Sequence, residues 1–413
     1  MGAEKRLMDA AEMLHDIAEI GRDPQRGGYS RPVFSEPELQ LRRWFIAQAE
    51  QRGLEVETDR NGALWAWWDV PQVGGVADRR GAVITGSHFD SVPGGGAFDG
   101  PLGIVSGLDA VTQLRQQGFV PSRPVAVVAF PEEEGSRFGI ACLGSGLMTG
   151  KLDPDRVRNL TDQDGNTFAE LAARNGLDPD RIGADHDRLA SLSAFVELHV
   201  EQGRGLEDLG APVAIATSIL GHGRWHLRIG GEGNHAGTTP MTDRRDPMAV
   251  AARIILAAQE EAQRIPEARA TVGNLIPTPG GTNVIASAVD LWLDVRHLDD
   301  AVVEQLVAAI EVRAQQAGEA EGCPVTVTRE SYSPTVNFSE ELQRRMQELL
   351  PEAPLLPTGA GHDAGIFSAH VPSGMLFVRN PTGVSHAPGE QAGDEDVEAG
   401  ARALATVLED LSQ

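Results

Sequence analysis

Five side chains of the types that bind metal ions lie after apolar segments or in glycine-rich loops of this sequence. They are His88, Asp99, Glu134, His199 and His386. Each residue alone is ordinary, because single histidines and acids are common in protein cores and on surfaces, so only their combination indicates a site. Mixed imidazole and carboxylate ligands suit Zn²⁺, Mn²⁺, Co²⁺ or Ni²⁺ rather than Ca²⁺. One carboxylate shared by two ions would make the site dinuclear.

The residues beside these candidates strengthen the prediction. Asp90 follows His88 by two positions, where its carboxylate is expected to fix the tautomer of the imidazole. Glu132 to Glu134 come directly after an apolar segment, and three adjacent carboxylates repel one another unless a cation lies among them or one stays protonated. Taken alone, an ordinary turn also explains Asp99 between its glycines, and a solvated loop also explains the glutamates.

Short apolar segments alternate with helical patterns in the first half of the chain. The segments Ala82–Gly86, Val125–Phe130 and Phe195–His199 are predicted to be buried strands, and Leu102–Gln117 is predicted to be a helix. This order predicts an α/β fold with a mixed, mostly parallel sheet and flanking helices. Ligands gather outside the carboxyl ends of the strands in such sheets, and all three strands lead into candidate metal ligands.

The pattern changes near Pro212. Beyond it, strands that alternate polar and apolar residues are interleaved with two helices, predicted over Asp246–Glu261 and Asp299–Gly318. Strands and two helices in this order are typical of an α+β module of ferredoxin-like type. After about Ser331 the α/β character returns. We therefore predict a catalytic domain of residues 1–212 and 331–413, interrupted by an inserted domain of residues 213–330.

The bulk composition excludes some classes of partner. The chain has 413 residues, which favours two domains, and its formal net charge of −25 repels phosphate backbones and anionic membranes. Its two cysteines, Cys142 and Cys323, are too few for a disulfide framework, so we expect reduced thiols and a cytoplasmic location. No apolar stretch reaches the roughly 18 residues of a membrane span. We expect neither nucleic acid nor a membrane as a partner.

Seven motifs occur in an order that is typical of one enzyme family. They are Gly86-Ser87-His88-Phe89-Asp90-Ser91-Val92, Gly95-Gly96-Ala97-Phe98-Asp99-Gly100-Pro101-Leu102-Gly103, Glu133-Glu134-Gly135-Ser136-Arg137-Phe138, Glu197-Leu198-His199-Val200-Glu201-Gln202-Gly203, Asn234-His235-Ala236-Gly237-Thr238-Thr239-Pro240-Met241, Gly361-His362-Asp363-Ala364 and Ser385-His386-Ala387-Pro388. Together they resemble the amidase/hydantoinase–carbamoylase family of the dinuclear metallo-aminopeptidase/carboxypeptidase clan. That family includes N-carbamoyl-L-amino-acid hydrolases, allantoate amidohydrolases and β-ureidopropionases. The resemblance covers nearly the whole chain.

The resemblance implies a catalytic domain similar to the di-zinc exopeptidases, with two divalent ions per subunit. His88 and His386 would bind different ions, and Asp99 would bridge them. Glu134 and His199 would complete the two sites. The inserted domain would act as a lid and mediate dimerisation, so the resemblance implies a homodimer.

The resemblance also assigns groups to catalysis and to substrate binding. Glu133 would act as the general base, and His235, in its own or the partner's site, would stabilise the oxyanion and contact the substrate. Gln202, Asn283 and Arg296 would bind the substrate, and a guanidinium such as that of Arg296 can hold a carboxylate bidentately. From local sequence alone, a surface position in a turn or at a strand end is the simpler explanation for the residues of the inserted domain.

The expected substrate is a small ureido or amide compound that carries a carboxylate. We predict hydrolysis of N-carbamoyl-L-amino acids to amino acid, CO₂ and ammonia. Allantoate is the alternative within the family, because Glu132–Phe138 and Gly361–Ala364 are more similar to allantoate amidohydrolases, whereas Arg245–Met248 is more similar to carbamoylases. An N-acyl amino acid or peptide amidohydrolase of the same clan is a further alternative. A catalytically silent metal-binding protein is the alternative from another class, and a general base beside a metal ligand argues against it.

Overall fold

The computed structural model describes residues 6–70 and 77–413, and the chain divides into two units. One unit comprises Met1–Thr217 and Asn337–Gln413, and the other comprises Ser218–Val336. The second unit is therefore a continuous insertion in the sequence of the first. The roles predicted for these units, catalysis for the first and a lid and dimer interface for the second, stay predictions.

Strands and helices alternate along most of the described chain. The strands are β1 (Glu55–Thr58), β2 (Leu64–Trp68), β3 (Ala82–His88), β4 (Val125–Phe130), β5 (Leu192–Val200), β6 (Val213–Ile219), β7 (Gly221–Gly230), β8 (Asn234–His235), β9 (Arg269–Thr278), β10 (Val284–Ile285), β11 (Ala288–His297), β12 (Val325–Ser333), β13 (Val336–Asn337), β14 (Leu355–Thr358) and β15 (Ser373–Val378). The α-helices are α1 (Ala10–Asp16), α2 (Glu36–Gln51), α3 (Pro101–Gln116), α4 (Leu143–Met148), α5 (Pro154–Arg158), α6 (Phe168–Arg174), α7 (His186–Ser191), α8 (Gly205–Leu209), α9 (Pro247–Gln263), α10 (Asp300–Glu321), α11 (Glu340–Leu349), α12 (Asp363–Phe367) and α13 (Asp394–Ser412). Within residues 6–70 and 77–413, no helix combines the length and the apolar composition that a membrane span requires.

The larger sheet has four parallel strands at its centre. Among the described residues its nine strands follow the order β1-β2-β4-β3-β5-β15-β6-β13, with β14 paired to β6. Strand β3 is parallel to β4 and β5, and β15 is parallel to β5, whereas β2 and β6 pair antiparallel at the two sides of this centre. The predicted α/β fold with a mixed sheet and flanking helices is confirmed. Because parallel strands end at one edge of a sheet, the segments after β3, β4, β5 and β15 converge there.

The parallel strands are buried on both faces, which explains their continuous apolar composition. Every residue of β4 is buried. On one face the strands pack against α3 and α13. On the other face the rings of Phe130, Phe195 and Phe367 meet, with centroids 5.2 to 5.8 Å apart. The carboxyl ends of these strands are therefore held by packing on both sides.

Helix α3 is packed unusually closely onto the sheet. A Cβ atom at Gly103 would lie 2.3 Å from the carbonyl oxygen of Leu198 in β5, so only glycine permits this approach. Pro101 occupies the first turn, where its missing N–H removes no helical hydrogen bond. The loop that ends at Gly100 is thereby held close to the end of β5.

The inserted unit contains a four-stranded antiparallel sheet with two helices packed against it. Its main elements follow the sequence β7, α9, β9, β11, α10 and β12, and the strand order is β12-β7-β11-β9. Leu227 and Leu291 of the sheet share one core with Ile254 of α9 and Ile310 of α10. This β-α-β-β-α-β order is the predicted ferredoxin-like module.

Two strands differ from the sequence interpretation. Residues 213–218, which the sequence pattern assigns to the insert, form most of β6, which pairs with β15 in the larger sheet. The smaller sheet also contains the edge strand β9, which the sequence pattern did not indicate. Its alternation of exposed and half-buried positions changes phase at Gly273 and Asn274, where its pairing with β11 contains a bulge. A bulge breaks the two-residue period by which a strand is identified.

Candidate metal centre

The carboxyl edge of the parallel strands gathers the five predicted metal ligands. His88 ends β3 and His199 lies one residue before the end of β5, whereas Asp99 precedes α3, Glu134 follows β4 and His386 follows β15. Their ligand atoms form two groups, His88–Asp99–His199 and Asp99–Glu134–His386. Within each group all ligand atoms lie within 4.8 Å of one another.

Asp99 belongs to both groups and presents one carboxylate oxygen to each. Its Oδ1 atom lies 3.4 Å from Nε2 of His88 and 3.3 Å from Nε2 of His199. Its Oδ2 atom lies 3.3 Å from Nε2 of His386, which lies 3.3 Å from Oε2 of Glu134. A carboxylate with one oxygen in each group has the arrangement that a bridge between two ions requires.

The tautomers of His88 and His199 leave an acceptor nitrogen of each ring facing Asp99. Nδ1 of His88 lies 2.9 Å from the carbonyl oxygen of Asp90, and Nδ1 of His199 lies 2.9 Å from that of Val200. A carbonyl only accepts hydrogen bonds, so both Nδ1 atoms carry a proton and the Nε2 atoms of the neutral rings are acceptors. Both Nε2 lone pairs therefore face Oδ1 of Asp99, and Nε2 of His88 has no hydrogen-bond partner among the described residues. Buried acceptors that face one another need a proton or a metal ion between them.

The spacing and burial of these atoms fit a metal ion. Ligand atoms that lie about 2.0–2.1 Å from a tetrahedrally coordinated ion are separated from one another by about 3.3 Å. The separations from Asp99 to His88, His199 and His386 are 3.4, 3.3 and 3.3 Å. His88, Asp99 and His199 are buried, and buried charges are normally paired or coordinate a metal. The donor set therefore fits divalent ions with a preference for mixed nitrogen and oxygen ligands.

The acids of the site repel one another. Burial, and then the carboxylate of Asp99, raises the pKa of Glu134 to about 7. Burial raises the pKa of Glu133 well above its ordinary value, although the ring of His88 opposes that shift. Burial alone would lower the pKa of His88, but the carboxylates of Glu133, Asp99 and Asp90 raise it well above its usual range. All three pKa values are raised, and besides burial they share one contribution, an excess of buried negative charge that favours the protonated form of each group.

Asp90 supports the site in a different way from the one predicted. Its backbone carbonyl, and not its carboxylate, accepts the Nδ1 proton of His88, because the nearer carboxylate oxygen is 3.8 Å from that nitrogen. The carboxylate instead accepts hydrogen bonds from the backbone N–H groups of Glu133 and Glu134, both at 3.1 Å. Asp90 therefore holds the ring of His88 and the backbone that carries Glu134. Residues next to metal ligands commonly orient those ligands by such hydrogen bonds.

Glu132, to which sequence reasoning assigned no role, shapes the turn that presents Glu133 and Glu134. It has a positive φ of 55°, and its buried Oε1 atom accepts hydrogen bonds from the N–H groups of Arg137 and Phe138 at 2.8 and 2.6 Å. The acidic loop is consequently closed on itself rather than solvated. This closure explains how three adjacent glutamates point in different directions.

Glu133 is buried, with one carboxylate oxygen towards the candidate metal ligands and the other towards a thiol. Its Oε2 atom lies 3.6 Å from Nε2 of His88. The thiol of Cys142 donates to its Oε1 atom at a sulfur–oxygen distance of 3.2 Å. Burial raises the pKa of this thiol well above its ordinary value, so the sulfur keeps its proton and acts as the donor. The predicted general base thus has one oxygen held and one oxygen free to face the site.

Two further residues lie within this centre. The side-chain amide of Gln202 donates to Oδ2 of Asp99 at 2.9 Å and lies 3.4 Å from Nε2 of His386. The ring of His362 is buried and packs against that of His199, with centroids 4.6 Å apart. Gln202, predicted to bind substrate, is therefore brought to the shared ligand, and His362 supports the ring of a second ligand.

Glu390 is a buried residue of the centre that sequence reasoning missed. Its Oε1 atom accepts hydrogen bonds from the backbone N–H groups of Phe98 and Asp99. The only signal in the sequence was its place four residues after His386 in the same loop. Residues so far apart in the chain leave no local pattern that predicts their contact.

The structure places the other predicted substrate-binding residues in the inserted unit. His235 lies in β8, which pairs with β10, and the N–H group of Ala236 donates to the carbonyl oxygen of Asn283 at 2.9 Å. The N–H group of Gly237 donates to Nδ1 of His235 at 3.1 Å. The neutral ring of His235 therefore carries its proton on Nε2, which is exposed and able to donate.

Arg296 lies in β11 of the same unit. Its guanidinium forms an ion pair with Asp294, with nitrogen–oxygen distances of 2.7 and 3.1 Å. Asp294 is its neighbour two positions earlier in the strand, on the same face of the sheet. This contact orients the guanidinium along that face.

Comparison with known proteins shows extensive similarity. The model of peptidase family M20/M25/M40 matches residues 84–410. The N-carbamoyl-L-amino acid amidohydrolase of Geobacillus stearothermophilus is 38% identical, over 97% of this chain and 98% of that protein. The allantoate amidohydrolase of Escherichia coli strain K12 is 33% identical, over 97% of both chains. The crystal structure of an amidase of the hydantoinase/carbamoylase family from Burkholderia multivorans superposes with a TM-score of 0.86 at 31% identity, over 98% of this chain and 97% of that one.

Proposed function

Because the chain belongs to peptidase family M20/M25/M40, we propose that it hydrolyses the ureido C–N bond of N-carbamoyl-L-amino acids. The chain is an amidohydrolase, a hydrolase of C–N bonds other than peptide bonds. The observation that carries the proposal is the position of Asp99, with one carboxylate oxygen in each of two groups of metal-binding side chains. The choice of substrate rests on the similarity to the enzyme from Geobacillus stearothermophilus.

We propose that His88, His199 and Asp99 hold one divalent ion and that Glu134, His386 and Asp99 hold a second. Zn²⁺, Mn²⁺, Co²⁺ and Ni²⁺ are the candidates, because each accepts mixed nitrogen and oxygen ligands. When bound, such ions polarise a carbonyl group and lower the pKa of water towards about 7. The remaining chemistry falls to side chains of the protein.

Glu133 is proposed as the general base. Its Oε2 atom accepts a proton from the water that attacks the ureido carbon. As the C–N bond breaks, the same carboxyl returns that proton to the departing nitrogen, and the carbamate that is left decomposes to CO₂ and ammonia. The overall reaction converts the carbamoyl amino acid and one water into amino acid, CO₂ and ammonia. The contact between Oε1 and the thiol of Cys142 leaves Oε2 for these transfers.

The inserted unit is proposed to supply groups that recognise the substrate. The Nε2–H of His235 would donate to the oxyanion that forms at the carbonyl oxygen, which agrees with the tautomer set by Gly237. Asn283 and Arg296 would hold the carboxylate of the substrate, and Gln202 would contact it from the catalytic unit. A homodimer and a cytoplasmic location, both carried over from the resemblance and the composition, belong to the same proposal.

Substitution of Glu133 and, separately, of Glu134 distinguishes the proposed general base from the proposed metal ligand. Glu133→Gln keeps the shape of the side chain but cannot accept a proton, so kcat is expected to fall by about 10²–10⁴-fold while bound metal, measured by elemental analysis, stays at the wild-type level. Glu134→Gln serves as the matched comparison and is expected to lose metal. A Glu133→Gln enzyme with near-normal kcat would refute the assignment.

Allantoate is the second candidate substrate, because the Escherichia coli enzyme is 33% identical to this chain. Ammonia release can be measured on N-carbamoyl-L-amino acids and on allantoate, with protein reconstituted with Mn²⁺ or Zn²⁺. Release from the carbamoyl compounds supports the proposal. Release from allantoate alone replaces the substrate and keeps the catalytic residues. Release from neither directs the search to N-acyl amino acids and peptide amides.

A further inference from the structure

A single buried carboxylate joins the loop of Asp99, the residue shared by both halves of the candidate metal centre, to the loop of His386. Oε1 of Glu390 accepts the N–H of Phe98 at 2.9 Å and the N–H of Asp99 at 3.0 Å. Its side chain is only 3% exposed. Asp99 is the shared ligand, and Glu390 lies in the loop that carries His386. The contact therefore ties the bridging ligand to the loop that supplies the last ligand.

The protein is built closely around this contact. A Cβ atom at Gly96 would lie 2.1 Å from Oε1 of Glu390 and 2.2 Å from its Cδ, so glycine is needed there for the carboxylate to enter. The N–H of Glu390 donates to the carbonyl oxygen of Ala387 at 3.1 Å, which closes the turn between His386 and Glu390. The contact is thereby built into the packing of both loops.

We infer that Glu390 is a positioning residue for the bridging ligand: by accepting the N–H groups of Phe98 and Asp99, it sets the place of the Asp99 carboxylate relative to His386. The inference rests on the proposed metal function of these residues. It assigns no contact with substrate to Glu390. Because Asp99 is shared, loss of Glu390 weakens both halves of the centre together.

The hydrogen-bond geometry of Glu390 allows the effect of its side-chain shape to be tested separately from the effect of its charge. One oxygen, Oε1, makes both hydrogen bonds, whereas Oε2 has no hydrogen-bond partner in the part of the chain that the structure describes. The amide of Glu390→Gln can place its carbonyl oxygen at Oε1 and keep both bonds. Glu390→Asp is one methylene too short to reach the two N–H groups, and Glu390→Ala has no acceptor.

The test is metal binding by full-length protein that has been stripped with a chelator and titrated with Zn²⁺ or Mn²⁺ against a competing indicator. Residues that orient metal ligands typically contribute 10–100-fold in affinity, so Glu390→Ala and Glu390→Asp are expected to bind about 10–100-fold more weakly. Glu390→Gln is expected to bind like the wild type. The matched control is Asp396→Asn, because Asp396 is also a buried acid but pairs with Arg379 in another contact.

The outcomes distinguish this inference from the function on which it rests. Wild-type protein that binds neither ion refutes the proposed metal function itself. Wild-type protein that binds them while Glu390→Ala binds equally well refutes the positioning role alone. Loss in Glu390→Gln as large as in Glu390→Ala would also refute it, because the two hydrogen bonds would then not be the cause. Melting temperatures of the stripped variants show whether a loss of affinity is instead a loss of folding.

Discussion

Gly100 is the position where one added methyl group should disturb the candidate metal centre most directly. It lies between Asp99 and helix α3, with φ 81° and ψ −58°, close to the values of a γ-turn that side-chain-bearing residues rarely adopt. A Cβ atom there would lie 2.5 Å from Nδ1 of His88, 2.5 Å from its carbonyl oxygen and 2.6 Å from its Cε1. Gly100→Ala therefore strains the backbone and pushes on the ring of a candidate ligand.

The expected loss of stability follows from these two effects. Holding alanine in this backbone conformation costs about 1–3 kcal/mol. Forcing a methyl group into a packed region costs a further 1–3 kcal/mol or so, which gives about 2–6 kcal/mol in all. A large domain loses about 2 °C of Tm per kcal/mol, so Gly100→Ala should melt about 4–12 °C below the wild type when both are free of metal.

The effect on metal binding is the more specific result. Because His88 must move, the affinity for Zn²⁺ or Mn²⁺ should fall by about 10–100-fold, as for other changes that misplace a ligand. Both quantities can be measured on one preparation, by thermal denaturation of the stripped protein and by titration against a competing indicator.

Gly118 provides the matched control for this experiment. It has nearly the same φ, +78°, but nothing lies within 4 Å of where its Cβ would be. Gly118→Ala should therefore show only backbone strain, about 1–2 kcal/mol, and wild-type metal affinity. If Gly100→Ala binds metal as tightly as Gly118→Ala does, the reasoning from the contact with His88 is wrong.

Two further predictions concern pH and metal. Asp59 accepts hydrogen bonds from the N–H groups of Asn61 and Ala63 and from Nε1 of Trp65. Burial raises the pKa of Asp59, although these hydrogen bonds oppose the shift, so the contribution of Asp59 to the stability of the wild type should fall as pH rises from about 4 through the raised pKa. Asp59→Asn has no carboxyl group to titrate and therefore does not lose stability in this way. Its Tm should lie below that of the wild type, and the difference between the two Tm values should become smaller as pH rises. A difference that grows between pH 4.5 and 8 would contradict the predicted direction. Removal of metal by a chelator should lower Tm by about 8 °C. An ion at 1,000 times its Kd stabilises the folded protein by about 4 kcal/mol, and Tm changes by about 2 °C per kcal/mol. Equal Tm values for the stripped and the metal-loaded protein would count against a metal centre.

Strand ends that share one edge of a sheet predicted that His88, His199 and Glu134 meet, whereas Asp99 and His386 lie in loops, and their roles depended on the family resemblance. His88 and His199 end or follow apolar segments that were predicted to be buried strands, and parallel strands bring such ends together. The same reasoning led from Val125–Phe130 to Glu134. The α/β fold and the ferredoxin-like insert were predicted correctly for a similar reason. The regular spacing of apolar residues in long strands and helices identifies these elements without knowledge of their tertiary contacts.

The details that sequence did not yield depend on local angles or on distant partners. Whether the carbonyl or the carboxylate of Asp90 meets the ring of His88 is decided by backbone dihedral angles that residue types do not specify. Glu390 contacts the amides of Phe98 and Asp99 only because two loops far apart in the chain fold together. Strand β9 was missed because its bulge interrupts the alternation. The thiol of Cys142 meets Glu133 through a turn that no periodic pattern indicates.

The position of the insert within the chain has a consequence for the order of folding during synthesis. Phe195 of β5 pairs with Ser373 of β15, and translation at roughly 5–20 residues per second needs about 10–35 s to extend the chain from one to the other. The inserted unit is continuous, so it can fold on the ribosome while β5 still lacks this neighbour. His386 is the last candidate ligand to be made. A nascent chain therefore cannot present the full set of metal-binding side chains until its final helix is about to emerge.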